Sequence, residues 1–283
     1  MGRFCCYTNN MSAPTDLLEL RRRRLERTGV YPIHTQEEAL AFLDDIGFCR
    51  FSYHADCELP SFSGALAAEV SGELWAWKDA LPNTRRVYYG ALFRFSAGDS
   101  VRPGFLSLTV LAALYSLSNV CQFGGGRDLL PRWAGVSREA VGLADALEHA
   151  GPLSTAGLRA AAGLQGKEHA ALFHKALIEA QRQFLIVRTG VTSVTRANYG
   201  YVWSSFASAY PDVIRQAEAL DDLAAAAALV DQYVDAAVQV SLERIAFVLS
   251  LNLRLLRRAA AQLAADGRLE ELPGEPPLFT KPG

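Results

Sequence analysis

The stretch from Ser137 to Val187, SREAVGLADALEHAGPLSTAGLRAAAGLQGKEHAALFHKALIEAQRQFLIV, decides the fold. Ser137 to His149 read as a helix that ends at Gly151-Pro152, because glycine closes helices and proline cannot continue them. Ser154 caps a short helix reaching Leu164. Gln165-Gly166 turn, and a longer helix runs from Lys167 to about Gln183. Phe184 to Val187 are apolar and β-prone, and Gly190 fits a turn. The same order returns further on. Leu223 to Ala237 read as a helix, and Ser241 caps a short one ending at Ser250 or Leu251. Asn252 to Ala265 form a third, and Asp266-Gly267 turn into Leu269 to Leu272. Leu158 and Ile245 each stand four residues after their serine, Leu164 and Leu251 ten after. From capping serine to closing leucine the spans are 31 residues (Ser154 to Leu185) and 28 (Ser241 to Leu269). Helix, capped short helix, long helix, strand-like turn is the order of a winged helix-turn-helix. The expected fold is mainly α with small β wings, as tandem winged helix-turn-helix repeats. Two helical hairpins in an all-α protein are the plainer alternative. The run Ala224 to Ala228 adds helix propensity only.

Toward the N-terminus, Thr35 and Glu38 form a capping-box pattern. Ala39, Leu40, Phe42, Leu43 and Ile46 follow at helical spacing, and Gly47 stops that helix. Phe48 to Tyr53 is a short aromatic-rich run with strand character. Leu59 to Val70 read as a helix opened by Pro60 and Ser61. Tyr88, Tyr89, Phe93 and Phe95 form an aromatic cluster. Phe105 to Leu117 read as a buried apolar helix. The apolar run from Phe105 to Cys121 is interrupted by Ser107, Thr109, Ser116, Ser118 and Asn119 and falls short of the roughly 20 residues a membrane helix needs. Gly124-Gly125-Gly126 break the chain. The expected organisation is a flexible extension with a basic helix (1–30), a divergent N-terminal domain with room for a further winged helix (31–125), winged helices over 126–200 and 201–272, and an extended tail (273–283). Gly2 to Asn10 look unstructured, which makes Met11 a candidate start.

The chain has 283 residues, half of them apolar and a fifth charged, so it can bury a core and is not disordered throughout. The formal charge of −2 excludes a coat that covers nucleic acid by bulk charge. Five irregularly spaced cysteines do not resemble a secreted disulfide framework, and with no apolar signal core they point to the reducing cytoplasm. The charge is uneven. Residues 151–200 carry Arg159, Lys167, Lys175, Arg182, Arg188 and Arg196 against Glu168 and Glu179, a net +4, whereas residues 201–283 are net −4. The first repeat is therefore the nucleic-acid candidate. Gln165, Lys167, His169, His174 and Lys175 lie in the N-terminal part of its long helix, the end a recognition helix offers to the major groove. Arg188, on the expected wing, is placed to reach phosphate. The alternative is an ordinary solvated face. In the second repeat Arg254, Arg257 and Arg258 stand among acids, which favours ion pairing or a protein interface. Arg21 to Arg24, with Arg27, are either a phosphate-binding arm or one solvated helix turn.

Motifs for chemistry are sparse. There is no phosphate-binding glycine loop and no nucleophile elbow. Cys49, His54 and Cys57, with Cys121 or Asp56, offer zinc-type ligands, but the spacing is looser than zinc sites use, so buried thiols and no metal are expected. Asp56 and Glu58 alternate along the chain and form a weak acid/base candidate. Trp75, Trp77, Tyr88 and Tyr89 either stack on bases or pack in the core. No cofactor is indicated.

Five motifs together resemble a family: Tyr31-Pro-Ile-His-Thr-Gln-Glu-Glu-Ala-Leu40, Ile46-Gly-Phe-Cys49, Glu58-Leu-Pro-Ser61, Trp75-Ala-Trp-Lys-Asp79 and Arg86-Val-Tyr-Tyr-Gly90. They resemble the AlkZ-related proteins of bacteria over roughly residues 30–272. That branch is similar to the AlkZ/YcaQ group, winged-helix DNA glycosylases that unhook crosslinks and remove bulky alkylated bases. In that group a Gln-x-Gln or Gln-x-Asp motif, after a Leu-Gly-Leu-like helix end, positions the attacking water. With Gly47 on that glycine, Arg50, Phe51 and Ser52 take the three motif positions. A cationic Arg50 cannot accept a hydrogen bond from water, and it opposes the positive charge that base excision develops. Ser52 is a short hydroxyl in place of a carboxamide or carboxylate. The resemblance implies a DNA-binding partner of duplex DNA in damage response or repair, without glycosylase chemistry. A glycosylase with a rebuilt site and a protein-interaction scaffold are the alternatives.

Overall fold

The computed structural model describes residues 15–53, 57–94, 101–118, 135–192 and 200–282. One element order occurs twice in full and a third time with a single bridging residue, Val240, in place of the first strand. After α1 (Thr15–Glu26), the first copy is α2 (Gln36–Ile46), β1 (Phe48–Arg50), α3 (Phe62–Ala65), α4 (Leu74–Asn83), β2 (Val87–Phe93) and β3 (Arg102–Ser107). Helix α5 (Leu108–Ser116) follows. The second copy is α6 (Arg138–Ala150), β4 (Leu153–Ser154), α7 (Thr155–Ala161), α8 (Ala170–Arg182), β5 (Ile186–Val191) and β6 (Tyr201–Ser205). Helices α9 (Phe206–Ala209) and α10 (Pro211–Glu218) lead to the third copy, α11 (Asp222–Ala237), α12 (Leu242–Leu249), α13 (Leu253–Ala265), β7 (Glu270–Leu272) and β8 (Leu278–Thr280). The last strand of each copy lies in the middle of its sheet: β1-β3-β2, then β4-β6-β5, all antiparallel. In the third copy Phe279 of β8 bridges Val240 on one side, and β8 pairs with β7 on the other.

Local chemistry repeats with the topology. The first helix of each copy ends on a left-handed residue: Gly47 at φ 72°, Gly151 at φ 74°, Val238 at φ 71°. The short second helices are capped by Ser61, Ser154 and Ser241, whose hydroxyls accept from the N–H groups of Gly64, Gly157 and Arg244. The residue four on, Ala65, Leu158 or Ile245, is completely buried. The third helices close on Arg85, Phe184 and Gly267, again at positive φ. After that turn Leu185 donates to Ala180 O (2.9 Å) and Arg268 donates to Leu263 O (2.8 Å). Leu185 therefore matches Arg268, and the leucines expected to close the two repeats are one residue out of step.

Several expectations change. Leu59 to Val70 are not one helix, because Ile33 takes over its backbone bonds: Ile33 N donates to Ala65 O and Ala67 N donates to Ile33 O, a strand-like bridge that ends α3 after four residues. Residues 102–107 are strand rather than helix, and α5 begins only where the Ser107 side chain accepts from Val110 N. The long helix of the second copy starts at Ala170, not Lys167. The boundary placed at residue 200 cuts a sheet, since β6 is the strand that joins β4 to β5. The tail is not simply extended, because β8 within it completes the third sheet. Gly124 to Gly126 lie outside the described residues.

The core joins the copies. Tyr115 of α5 stacks on Phe206 of α9 at 5.1 Å, and Tyr88, Phe184 and Tyr210 surround that pair. Among the described residues no helix is long and apolar enough to cross a membrane.

Candidate functional site

The segment Arg50-Phe51-Ser52 is held by its own arginine. Arg50 leaves β1 into a loop, and its buried guanidinium donates to Leu59 O from Nε (3.0 Å) and Nη2 (2.9 Å), and to Ser52 O (3.3 Å). A buried cation whose donors converge on backbone carbonyls is a loop clasp. Phe51 packs edge-on against Trp75 (5.1 Å) and Tyr89 (5.9 Å). Ser52 is exposed, as are Tyr53 and Trp75.

Glu58 follows the loop and is largely enclosed. It accepts from the Tyr233 hydroxyl (2.6 Å), and Arg244 Nε lies 3.1 Å from each of its oxygens. Burial, then the Glu58 charge, pushes the Tyr233 phenol well above its ordinary range. Burial acts to lower the Arg244 pKa, but the Glu58 charge and hydrogen bond more than offset it, so Arg244 is raised. With both oxygens committed, Glu58 ties the first copy to α11 and α12 and is not presented as an open base. Asp56 and His54 lie outside the described residues, as does Cys121. Cys49 and Cys57 are buried free thiols. Burial and then the Glu58 charge push Cys57 up to about 12, and burial raises Cys49 further. Among the described residues no group of His, Cys, Asp and Glu could hold a metal ion.

Arg188 does not stand on a solvent-facing wing. It is 6% exposed, lies 3.0 Å from Asp79, donates to Lys78 O (2.9 Å), and sits between the rings of Tyr89 (4.7 Å) and Tyr201 (4.5 Å). Packing of α4 against β5 causes this. Burying an arginine demands such partners. Lys78, also buried, lies 3.3 Å from Asp79 and 4.8 Å from the Trp75 ring. Trp75, Lys78, Asp79 and Tyr89 thus belong to two of the quoted motifs and meet where the first and second copies join. Tyr88 and Trp77 are buried core residues.

The other expected nucleic-acid residues are accessible. Gln165, Lys167, His174 and Lys175 are exposed, and His169, which caps α8, is partly so. Phe173 and Ala176 turn inward, which leaves the flanking Leu172, His174 and Lys175 outward. The basic run at the N-terminus is differently used. Arg24 is buried, with Nε 2.7 Å from Asp235 and Nη1 2.7 Å from Asp45, and Arg27 also reaches Asp235. In the third copy Arg257 pairs with Glu243 and Arg268 with Asp231. Sequence reasoning missed the partnerships Asp79–Arg188 and Glu58–Tyr233–Arg244. Their partners lie far apart in sequence, and only the motif letters Lys78, Asp79 and Glu58 marked one side of each.

Comparison with known proteins adds a family and a fold. A family model described as AlkZ related matches residues 33–250. No curated protein matches the sequence. Among solved structures, the Streptomyces sahachiroi DNA glycosylase AlkZ is similar, with a TM-score of 0.55 and 15% identity. The match covers 96% of this chain and 70% of that one. At this identity the likeness is one of fold.

Proposed function

The chain belongs to the AlkZ-related family, and on that premise we propose that it is a DNA-binding protein of DNA repair, built of winged helices and lacking base-excision chemistry. The single observation that carries this reading is α8. It is the third helix of a helix, strand, helix, helix, strand, strand module, and its N-terminal half and preceding turn expose Gln165, Lys167, His174 and Lys175. Among the described residues, neither lysine makes an ion pair. Duplex DNA suits a helix end of that size and charge. The same order in the first copy, and in the third with the Val240 bridge standing in for the first strand, supports reading each as a winged helix. The first copy's α4 is covered by β5, and the third copy carries exposed Glu270 and Glu271 on its wing, so DNA contact centres on the middle copy.

Among the described residues, Arg50 and Glu58 are both engaged elsewhere. By the sequence resemblance Arg50 takes the place of the water-orienting group, and its guanidinium is spent on the Leu59 and Ser52 carbonyls. Glu58, the remaining described candidate base, is engaged by Tyr233 and Arg244.

Binding to duplex and branched DNA across a salt series tests this reading. Affinity is expected to fall steeply with salt, and Lys167→Glu to weaken it. No detectable binding at low salt would overturn it. Release of alkylated or crosslinked bases, lost in Glu58→Gln, would instead establish a glycosylase with a rebuilt site.

A further inference from the structure

We infer that the C-terminal half of α8, with Arg94, forms a second binding track for the phosphate backbone of a nucleic-acid strand. It lies where the three copies meet and continues the surface that the N-terminal half of α8 begins. The inference rests on the DNA-binding reading.

A concavity of about 540 Å³ is lined by Ser137, Lys175, Ile178, Glu179, Arg182 and Gln183, among others. Lys175 and Arg182 stand seven residues apart, two turns of one helix, and so share a face. Arg94 leaves the end of β2 beside them. Its backbone N–H donates to Val248 O (3.1 Å), at the end of α12, and Arg182 Nη2 donates to Ser250 Oγ (3.1 Å) just beyond. The Arg94 backbone and the Arg182 side chain are thus tied to the same helix end. Burial, then the nearby Arg94 charge, lowers the Arg182 pKa, and the Glu179 charge offsets part of this.

Glu179, the carboxylate in the concavity's lining, acts on Arg182 through its charge but makes no ion pair with it. Glu179 accepts from Ser137 N (3.0 Å) and Ser137 Oγ (2.5 Å), capping the start of α6. Among the described residues no carboxylate pairs with Lys175, Arg182 or Arg94. Arg182 spends one donor on Ser250, and a guanidinium has five. Arg94 and Arg182 oppose each other in charge, and with Lys175 on the same helix face they favour an anion. Lys175 to Arg182 rise about 10 Å at 1.5 Å per residue. Phosphates on one strand rise about 3.4 Å each, so the row matches a run of phosphates better than a single ion.

The test measures a 20-base-pair duplex binding to the full chain between 50 and 200 mM salt. Arg94→Gln with Arg182→Gln is expected to weaken binding about tenfold at 150 mM and to lower the slope of log K against log salt by about two. Arg94→Lys with Arg182→Lys is expected to keep the slope, which a merely structural role would not require. A glutamine pair with wild-type affinity and slope overturns the inference, while the wild type's own binding leaves the parent reading standing. A lysine pair that loses the slope as the glutamine pair does also overturns it. So does tight binding of inorganic pyrophosphate or a polyglutamate peptide that depends on these arginines while duplex binding does not. Absence of wild-type binding removes both readings together.

Discussion

Val238 ends α11 at φ 71° and ψ −49°, close to the φ 72° and ψ −48° of Gly47 at the end of α2. A β-branched side chain in that region is strained by about 1–2 kcal/mol. Val238→Gly is expected to stabilise the protein by about 1 kcal/mol, read from urea unfolding. Gly47 and Gly151 were legible as helix stops because glycine announces the conformation. Val238 was not, since packing and the following bridge from Val240 impose it. The buried acids give a second outcome at this scale. Folding raises Cys57 and Tyr210 to about 12, chiefly by burial, and holds Cys49 and Tyr233 protonated too. Each folded pKa exceeds its unfolded value. Their contribution is therefore complete below about pH 8.5, where an unfolded thiol begins to ionise, and is lost as pH climbs through about 12. The urea midpoint is expected to fall steadily between about pH 9 and 12, and a flat profile would contradict this burial.

Between elements, the α4–β5 contact depends on one ion pair. Asp79→Ala takes the shared carboxylate from Arg188 and Lys78 and is expected to cost about 3–5 kcal/mol. Adding Arg188→Met is expected to recover part of it, a coupling that a double-mutant cycle on urea unfolding measures. The short strand β8 makes a similar demand on the third copy. Removing residues 273–283 takes away Phe279 and the bridge to Val240, and is expected to destabilise by roughly 3 kcal/mol or more, seen as a lower Tm. The capped helices were readable in advance because a cap joins residues three apart. Ser154 and Ser241 cap as expected, and Ser137, expected as the first residue of its helix, caps it instead. Asp79 with Arg188, or Val240 with Phe279, could not be read so, because nothing local distinguishes a buried arginine from a wing arginine. The Leu59 to Val70 reading failed for the same reason, since Ile33 supplies the competing bonds.

For the whole molecule, the formal charge of −2 conceals a division of labour. Lys175 of α8 and Lys167 of its preceding turn stay open to solvent, whereas Arg24, Arg50 and Arg188 are buried and spent on the protein itself. The repeated element order was legible for the second and third copies. It was hidden in the first, where residues 51–60 part β1 from α3. Asp79–Arg188 joins the first copy to the second, Glu58–Arg244 joins it to the third, and Arg24 bridges Asp45 and Asp235. No copy can open without stranding a buried or half-buried charge in another. The three copies are therefore expected to behave as one foldon. The slowest-exchanging amides of α2, α6 and α12 should share a single opening free energy equal to that of global unfolding, as native-state hydrogen exchange in low urea would read it.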